Sequence, residues 1–196
     1  GTLGNARDAM NQAVFFLRGK PLNTCGLKKD VLYNNEEFFN LIKTLDIEDT
    51  IDHLRYGKII FATDADVDGL HIRMLLMTFF MRFYRQLVTD GRVYILETPL
   101  FRVRNKKDQY YCFTDQERED AIKKCGRGCE ITRFKGLGEL NAKEFKDFIG
   151  PDMRLTPVTC TDDQDVEKTI KFYMGANTPD RKDYIMNSLV CDSSDF

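Results

Sequence analysis

Asp64, Asp66 and Asp68 follow the apolar run Ile59-Ile60-Phe61-Ala62, and Gly69 closes the stretch. Carboxylates at i, i+2 and i+4 of an extended backbone lie on one face, ~6.5–7 Å from each to the next. Like charges so close repel and raise one another's pKa. A hard divalent cation such as Mg²⁺ takes oxygen ligands of this kind and relieves that repulsion. A strand that delivers acids at its C-terminal end also fits the ligand crevices of open α/β sheets. The spacing therefore predicts a metal site built on Asp64, Asp66 and Asp68.

Other readings of the stretch fit less well. An EF-hand requires a carboxylate at the twelfth loop position and a helix before the loop. Leu75 holds that position, and an apolar run of β type precedes the acids. Haloacid-dehalogenase-like phosphotransferases place Asp-x-Asp after a strand, usually with Thr or Val two residues on. Here Asp68 stands there and Val67 is off phase. A solvated acidic turn seldom needs three aligned carboxylates directly after a buried strand.

The elements that must position these acids read as alternating strands and helices. Ala13–Leu17 reads as a buried strand, ending in a Gly/Pro loop that presents Arg18 and Lys20. Asn34 with Glu37 resembles a capping box opening a helix with Phe38, Phe39, Ile42 and Leu45 on one stripe. A long buried helix is expected from about Leu70 to Val88, then a strand at Val93–Leu96. That alternation implies parallel βαβ units, hence an α/β fold.

Two runs, 100–104 and 109–113, flank a polar turn as a hairpin. Thr114 and Glu117 open a short helix to Lys124. Glu130–Phe134 reads as a further strand, followed by the turn Lys135-Gly136-Leu137-Gly138, and Asn141 with Glu144 caps a helix to about Phe148. Beyond Pro151, a strand is expected at 155–160 and helices at about 163–174 and from Pro179, with Cys191–Phe196 frayed. The expected division is 1–150, with a hairpin insertion at about 100–113, and a strand-and-helix tail at 151–196.

Composition bounds the rest. At 196 residues, 42% hydrophobic and 31% charged, the chain can bury a sound core as an ordinary soluble domain. The net charge of −2 neither suggests nor excludes nucleic acid. Basic residues cluster locally at 18/20, 28/29, 102/104/106/107 and 133/135, each cluster alone being a solvated surface. Six cysteines show no disulfide framework, and Cys125-x₃-Cys129 lacks a second pair or histidine for zinc. Reduced thiols in a cytoplasmic protein are the simplest reading. The most apolar run, Met74–Met81, is too short to span a bilayer.

Four stretches together resemble type IIA DNA topoisomerases. Thr63–Arg73 is similar to the acidic motif of their Toprim domain. The others are Leu17-Arg18-Gly19-Lys20-Pro21-Leu22-Asn23, Leu54–Lys58 and Arg133–Leu140. They lie in the family's order and spacing, and the similarity spans essentially the whole chain. The match is to the C-terminal part of the B subunit of bacterial gyrase and topoisomerase IV. Leu70, where gyrases commonly carry Ser, and the run 110–114 resemble the topoisomerase IV paralogue more.

What the resemblance implies is a Toprim, Rossmann-like parallel sheet flanked by helices, acting in transient double-strand DNA cleavage and religation. The implied partners are double-stranded DNA and an A subunit, whose tyrosine is the nucleophile, in an A2B2 heterotetramer. Asp64, Asp66 and Asp68 would hold Mg²⁺, with Mn²⁺ or Ca²⁺ as substitutes, and His71 would assist as a phosphate or transition-state donor. Arg18, Lys20, Asn23 and Lys135 would meet DNA, with salt-dependent binding. ATP would be bound only in an N-terminal domain of the parent protein, and the implied location is the bacterial cytoplasm, at the nucleoid. In the family a strand ending in Glu-Gly-Asp-Ser-Ala comes first and its Glu is a metal ligand. The chain begins just after that point, so a missing first strand, an incomplete site and no cleavage by this piece alone are expected. Alternatives are a gyrase B subunit, or a non-catalytic module for DNA binding and subunit docking.

Overall fold

The computed structural model describes residues 1–160 and 163–189, and the expected fraying of 191–196 lies outside them. Two three-stranded sheets organise the chain. In the first, β1 (Ile59–Phe61) pairs parallel with β2 (Val93–Leu96), and β2 pairs antiparallel with β6 (Leu155–Pro157). The parallel βαβ unit is as expected, although β6 makes the sheet a mixed one. The second sheet is antiparallel in the order β4-β3-β5, with β3 at Phe101–Arg104, β4 at Gln109–Cys112 and β5 at Glu130–Arg133. The expected hairpin is thus β3–β4. The strand near Glu130 joins it rather than the parallel sheet.

Nine helices occur among the described residues: α1 (Thr2–Ala6), α2 (Lys29–Asn34), α3 (Glu36–Leu45), α4 (Val67–Phe83), α5 (Arg85–Thr89), α6 (Asp115–Cys125), α7 (Ala142–Phe148), α8 (Asp163–Met174) and α9 (Thr178–Ser188). Local sequence explains most of their starts. Asn35, one residue later than expected, caps α3 by accepting the Phe38 N–H, and Phe38, Leu41, Ile42 and Leu45 form its buried stripe. Thr114 accepts the Glu117 N–H at the start of α6. Asn141 and Glu144 close a full capping box on α7. Pro179 sits in the first turn of α9, where a missing N–H costs nothing.

Two expectations are corrected. The segment 13–17 joins no sheet, and Phe16 is 58% exposed. An apolar run this short satisfies packing without a ladder: Phe15 and Leu17 lie against the main core. The long helix is two helices, because Tyr84 leaves the helical region (φ −138°, ψ 43°). That break lets Leu87 and Val88 turn into the core beside Val93. Phe79 occupies its centre, stacked on Phe38 at 4.4 Å between ring centroids.

The second sheet is an insertion with a narrow neck. It leaves the first sheet after β2, and the Phe134 N–H donates to the Leu100 carbonyl at 2.9 Å where the chain returns. It has its own small core of Phe101, Val103, Cys112, Ala121 and Cys125. Phe134, Leu140, Phe145 and Leu96 pack together beneath the return.

Candidate metal and phosphate site at the β1–α4 turn

The three aspartates do not share a strand face. β1 ends at Phe61, and the chain turns so that Asp66 becomes the N-cap of α4 and Asp68 enters its first turn. The physical reason is local: a short acidic side chain at N-cap offsets the unpaired N–H groups and positive end of a helix. Each carboxylate therefore has its own anchor. Asp64 Oδ1 accepts the Leu137 N–H at 2.7 Å. Asp66 Oδ1 accepts the Gly69 N–H at 2.8 Å. Asp68 Oδ1 pairs with Lys20 Nζ at 2.7 Å. The Lys20 ammonium, by hydrogen bond and then by charge, holds the Asp68 carboxyl below the usual aspartate range.

Two glycines allow the close packing of this turn. A Cβ on Gly69 would stand 2.0 Å from the Asp64 carbonyl oxygen, and one on Gly136 would stand 2.9 Å from Asp64 Oδ1. Arg73 braces the turn from α4, its Nε donating to Thr63 Oγ1 at 2.5 Å. Burial lowers the pKa of this guanidinium from its ordinary value.

Of the cations expected at the site, Lys20 is joined to it through Asp68, and Lys135 stands one residue before the Gly136–Asp64 contact. The Lys135 side chain is exposed and has no carboxylate partner among the described residues. Its backbone N–H donates to Glu139 Oε2 at 3.2 Å, which shapes the turn. His71 is exposed on α4, one turn beyond the cap. Arg18 lies elsewhere, its N–H donating to Glu37 at 2.7 Å and its guanidinium 4.0 Å from Glu36 at the start of α3. Asn23 uses both ends of its amide internally, donating to the Met174 carbonyl at 2.7 Å and accepting the Cys25 N–H at 3.0 Å.

Sequence reasoning missed what holds the Lys135 turn in place. Glu144, the capping residue of α7, also pairs with Arg102 Nη1 at 2.7 Å and accepts the Tyr111 hydroxyl at 2.6 Å, largely shielded from solvent. Burial pushes the Glu144 carboxyl up, but Tyr111, the Asn141 N–H and Arg102 outweigh it and bring it below its ordinary value. The capping-box spacing marked Glu144, but nothing in the sequence marked its partners across 42 residues.

The donor set fits a hard cation. Among the described residues no three His, Cys, Asp or Glu side chains form a closed metal cage. Mg²⁺ does not need one: it commonly takes one or two carboxylates and completes its shell with water and ligand phosphate oxygens. Asp64 and Asp66 each keep one carboxylate oxygen without a hydrogen bond from the described residues, at an exposed turn. Burial raises Tyr84 and pushes Tyr111 up to about 12, so neither of these two is prepared as a nucleophile.

Known proteins resemble this chain along its length. Residues 1–98 match the Toprim domain family, and residues 126–186 match the family "DNA gyrase B subunit, carboxyl terminus". The chain is 49% identical to the B subunit of DNA topoisomerase 4 from Borreliella burgdorferi, covering 97% of this chain and 32% of that one. It is 38% identical to the B subunit of DNA gyrase from Thermotoga maritima, covering 94% and 30%. The chain thus spans about a third of the length of these relatives. Its fold superposes on the DNA-binding, cleavage and re-ligation domain of Plasmodium falciparum topoisomerase II with a TM-score of 0.73. The two are 28% identical, over 88% of this chain and 25% of that chain.

Proposed function

As this chain belongs to the Toprim family, in the form carried by B subunits of type II topoisomerases, we propose that it serves the DNA-cleavage centre of such an enzyme. The observation that carries this reading is the β1–α4 turn, where three anchored aspartates, Lys20 and the Lys135 turn meet. A divalent ion bound there, Mg²⁺ first, supplies positive charge to a scissile phosphate and its leaving oxygen. Asp64 and Asp66 would hold it, and Asp68, paired with Lys20, would be the third carboxylate of the site. Lys20 and Lys135 orient the DNA backbone by charge, and His71 is placed to donate to it. Arg18, engaged with Glu36 and Glu37, and Asn23, engaged with Met174 and Cys25, would contribute less to the DNA contact.

The nucleophile in this proposal is a tyrosine of a partner A subunit in an A2B2 assembly. ATP is hydrolysed by another part of the parent protein, and the assembly works in the bacterial cytoplasm on the chromosome. We prefer topoisomerase IV, supported by the 49% identity to the Borreliella relative, while other topoisomerase 4 and gyrase relatives stand alike at 37–38%. No helix among the described residues is long and apolar enough to cross a membrane.

The test uses the parent B subunit with its A subunit, ATP and Mg²⁺, scored on interlinked and relaxed circular DNA. Decatenation without negative supercoiling, abolished by Asp66→Asn, is the expected result. Negative supercoiling would keep the mechanism and move the reading to gyrase. Absence of strand passage by a correctly assembled complex would overturn it and leave a DNA-binding module.

A further inference from the structure

The small core of the second sheet brings together two thiols that the proposed reaction does not use. Cys125 is the last residue of α6 and Cys129 immediately precedes β5. Between them run Gly126, Arg127 and Gly128, and both glycines adopt positive φ (77° and 81°). These left-handed positions let the chain reverse within three residues. The β3–β5 register sets Arg104 opposite Glu130, so Asn105 stands across from Cys129. Asn105 Nδ2 also donates to the Cys125 carbonyl at 2.9 Å. One side chain thereby fixes the end of α6 beside the start of β5. Cys125 is buried, 8% exposed, and the half-buried Cys129 packs against the same cluster.

We propose that Cys125 and Cys129 form a redox-responsive dithiol that closes to an intramolecular disulfide. Cys112, which shares the small core with Cys125, stands opposite Phe101, four residues along β3 from Asn105, or ~13 Å at the rise of a strand. Bridged cysteines need Cα atoms within roughly 7 Å, so Cys129 cannot reach Cys112 without rearrangement of the sheet. Cys129 is the more accessible cysteine of the two, following the exposed Arg127 and Gly128.

The oxidant is a small-molecule disulfide of the glutathione type. The Cys129 thiolate attacks one of its sulfurs, forming a mixed disulfide and expelling the first thiolate. The Cys125 thiol then loses its proton, attacks the Cys129 sulfur and expels the second thiolate. Two cysteine thiols lose two electrons, the oxidant disulfide gains them, and the two released protons end on the two expelled thiolates. Burial pushes the Cys125 thiol up, so the second step is faster at higher pH.

The test treats the native protein with oxidised glutathione, blocks remaining thiols with an alkylating reagent and maps tryptic peptides without reduction. Cleavage after Lys124, Arg127 and Arg133 separates the two cysteines, so a bridge holds peptides 125–127 and 128–133 together. The expected product is that linked pair, two hydrogen atoms lighter than the sum, restored to free peptides by dithiothreitol and absent in Cys129→Ser. Because Cys129 is not fully buried, that variant keeps the fold, which circular dichroism checks. Alkylation of both thiols after oxidant, a lasting glutathione adduct on Cys129, or a Cys129–Cys112 link would overturn the proposal.

Discussion

Lys20 Nζ lies 2.7 Å from Asp68 Oδ1, so the loop before α2 supplies a cation to the first turn of α4. Both groups are substantially exposed, so this pair adds little to stability. Its consequence is for charge. Asp68 is held low by Lys20, so its proton uptake in the folded chain falls below the usual aspartate range. A group depressed in this way contributes above its unfolded pKa and loses that contribution as pH falls through its folded pKa. Lys20→Met is expected to return the Asp68 midpoint toward the ordinary value in a carboxylate NMR titration. An unchanged midpoint would show that the ion pair does not persist in solution.

Gly136 and Gly69 separate a positional effect from a folding effect. Gly136→Ala presses its Cβ against the terminal carboxylate of Asp64, 2.9 Å away. The side chain can yield, so stability should change by less than ~1 kcal/mol while DNA cleavage by the assembled enzyme falls tenfold or more. Gly69→Ala meets backbone oxygen at 2.0 Å, which cannot yield. Here overpacking should cost ~1–3 kcal/mol, outweighing the ~1 kcal/mol that Ala offers within a helix. Urea denaturation of both variants checks the contrast, and equal losses of stability would contradict it.

Asp66 caps α4 and, in the proposed mechanism, also faces the metal. Asn and Asp cap helices about equally well, whereas Ala forfeits ~1 kcal/mol. Asp66→Asn should therefore keep the thermal midpoint and abolish Mg²⁺-dependent cleavage, while Asp66→Ala loses both. Cleavage retained by Asp66→Asn would remove this carboxylate from the chemistry.

Glu144 joins the inserted sheet to the helix behind the Lys135 turn through Arg102 and Tyr111. Glu144→Ala leaves the Arg102 guanidinium shielded and unpaired, at an expected cost of ~3–5 kcal/mol. Replacing both partners by apolar residues (Arg102→Met with Glu144→Leu) should recover most of it, as measured by denaturant midpoints. The alkaline limb follows from Tyr111, which shifts from 10.0 to about 12 through burial and the Glu144 contact. The unfolded chain ionises first, so stability is intact below pH 10 and declines between there and about 12.

Local signals were legible wherever a side chain bonds its own neighbourhood. Thr114, the Asn141–Glu144 pair and Pro179 each mark a helix start from three or four residues of sequence. The acidic motif was legible in kind but not in shape, because i, i+2 spacing is the same whether a strand continues or a helix begins. Asp66 took the cap, and the turn followed. The apolar pattern from Leu70 to Val88 gave no sign of the break at Tyr84, since a helix and a kinked pair bury the same residues. Long-range partners such as Arg102–Glu144 and Leu137–Asp64 left no trace in spacing at all.

The neck at Leu100 and Phe134 has a consequence for descent. The two ends of the inserted sheet meet where the Phe134 N–H donates to the Leu100 carbonyl at 2.9 Å, at the end of the β3–β5 ladder, and the sheet keeps a core of its own. Genetic gain or loss of length at the β3–β4 turn, 105–108, can be absorbed without redrawing β1, β2 or the acidic turn, whereas Arg102 and Tyr111 tie the body of the sheet to Glu144. Length differences among relatives are expected to gather in this interval, leaving the chemistry under separate selection.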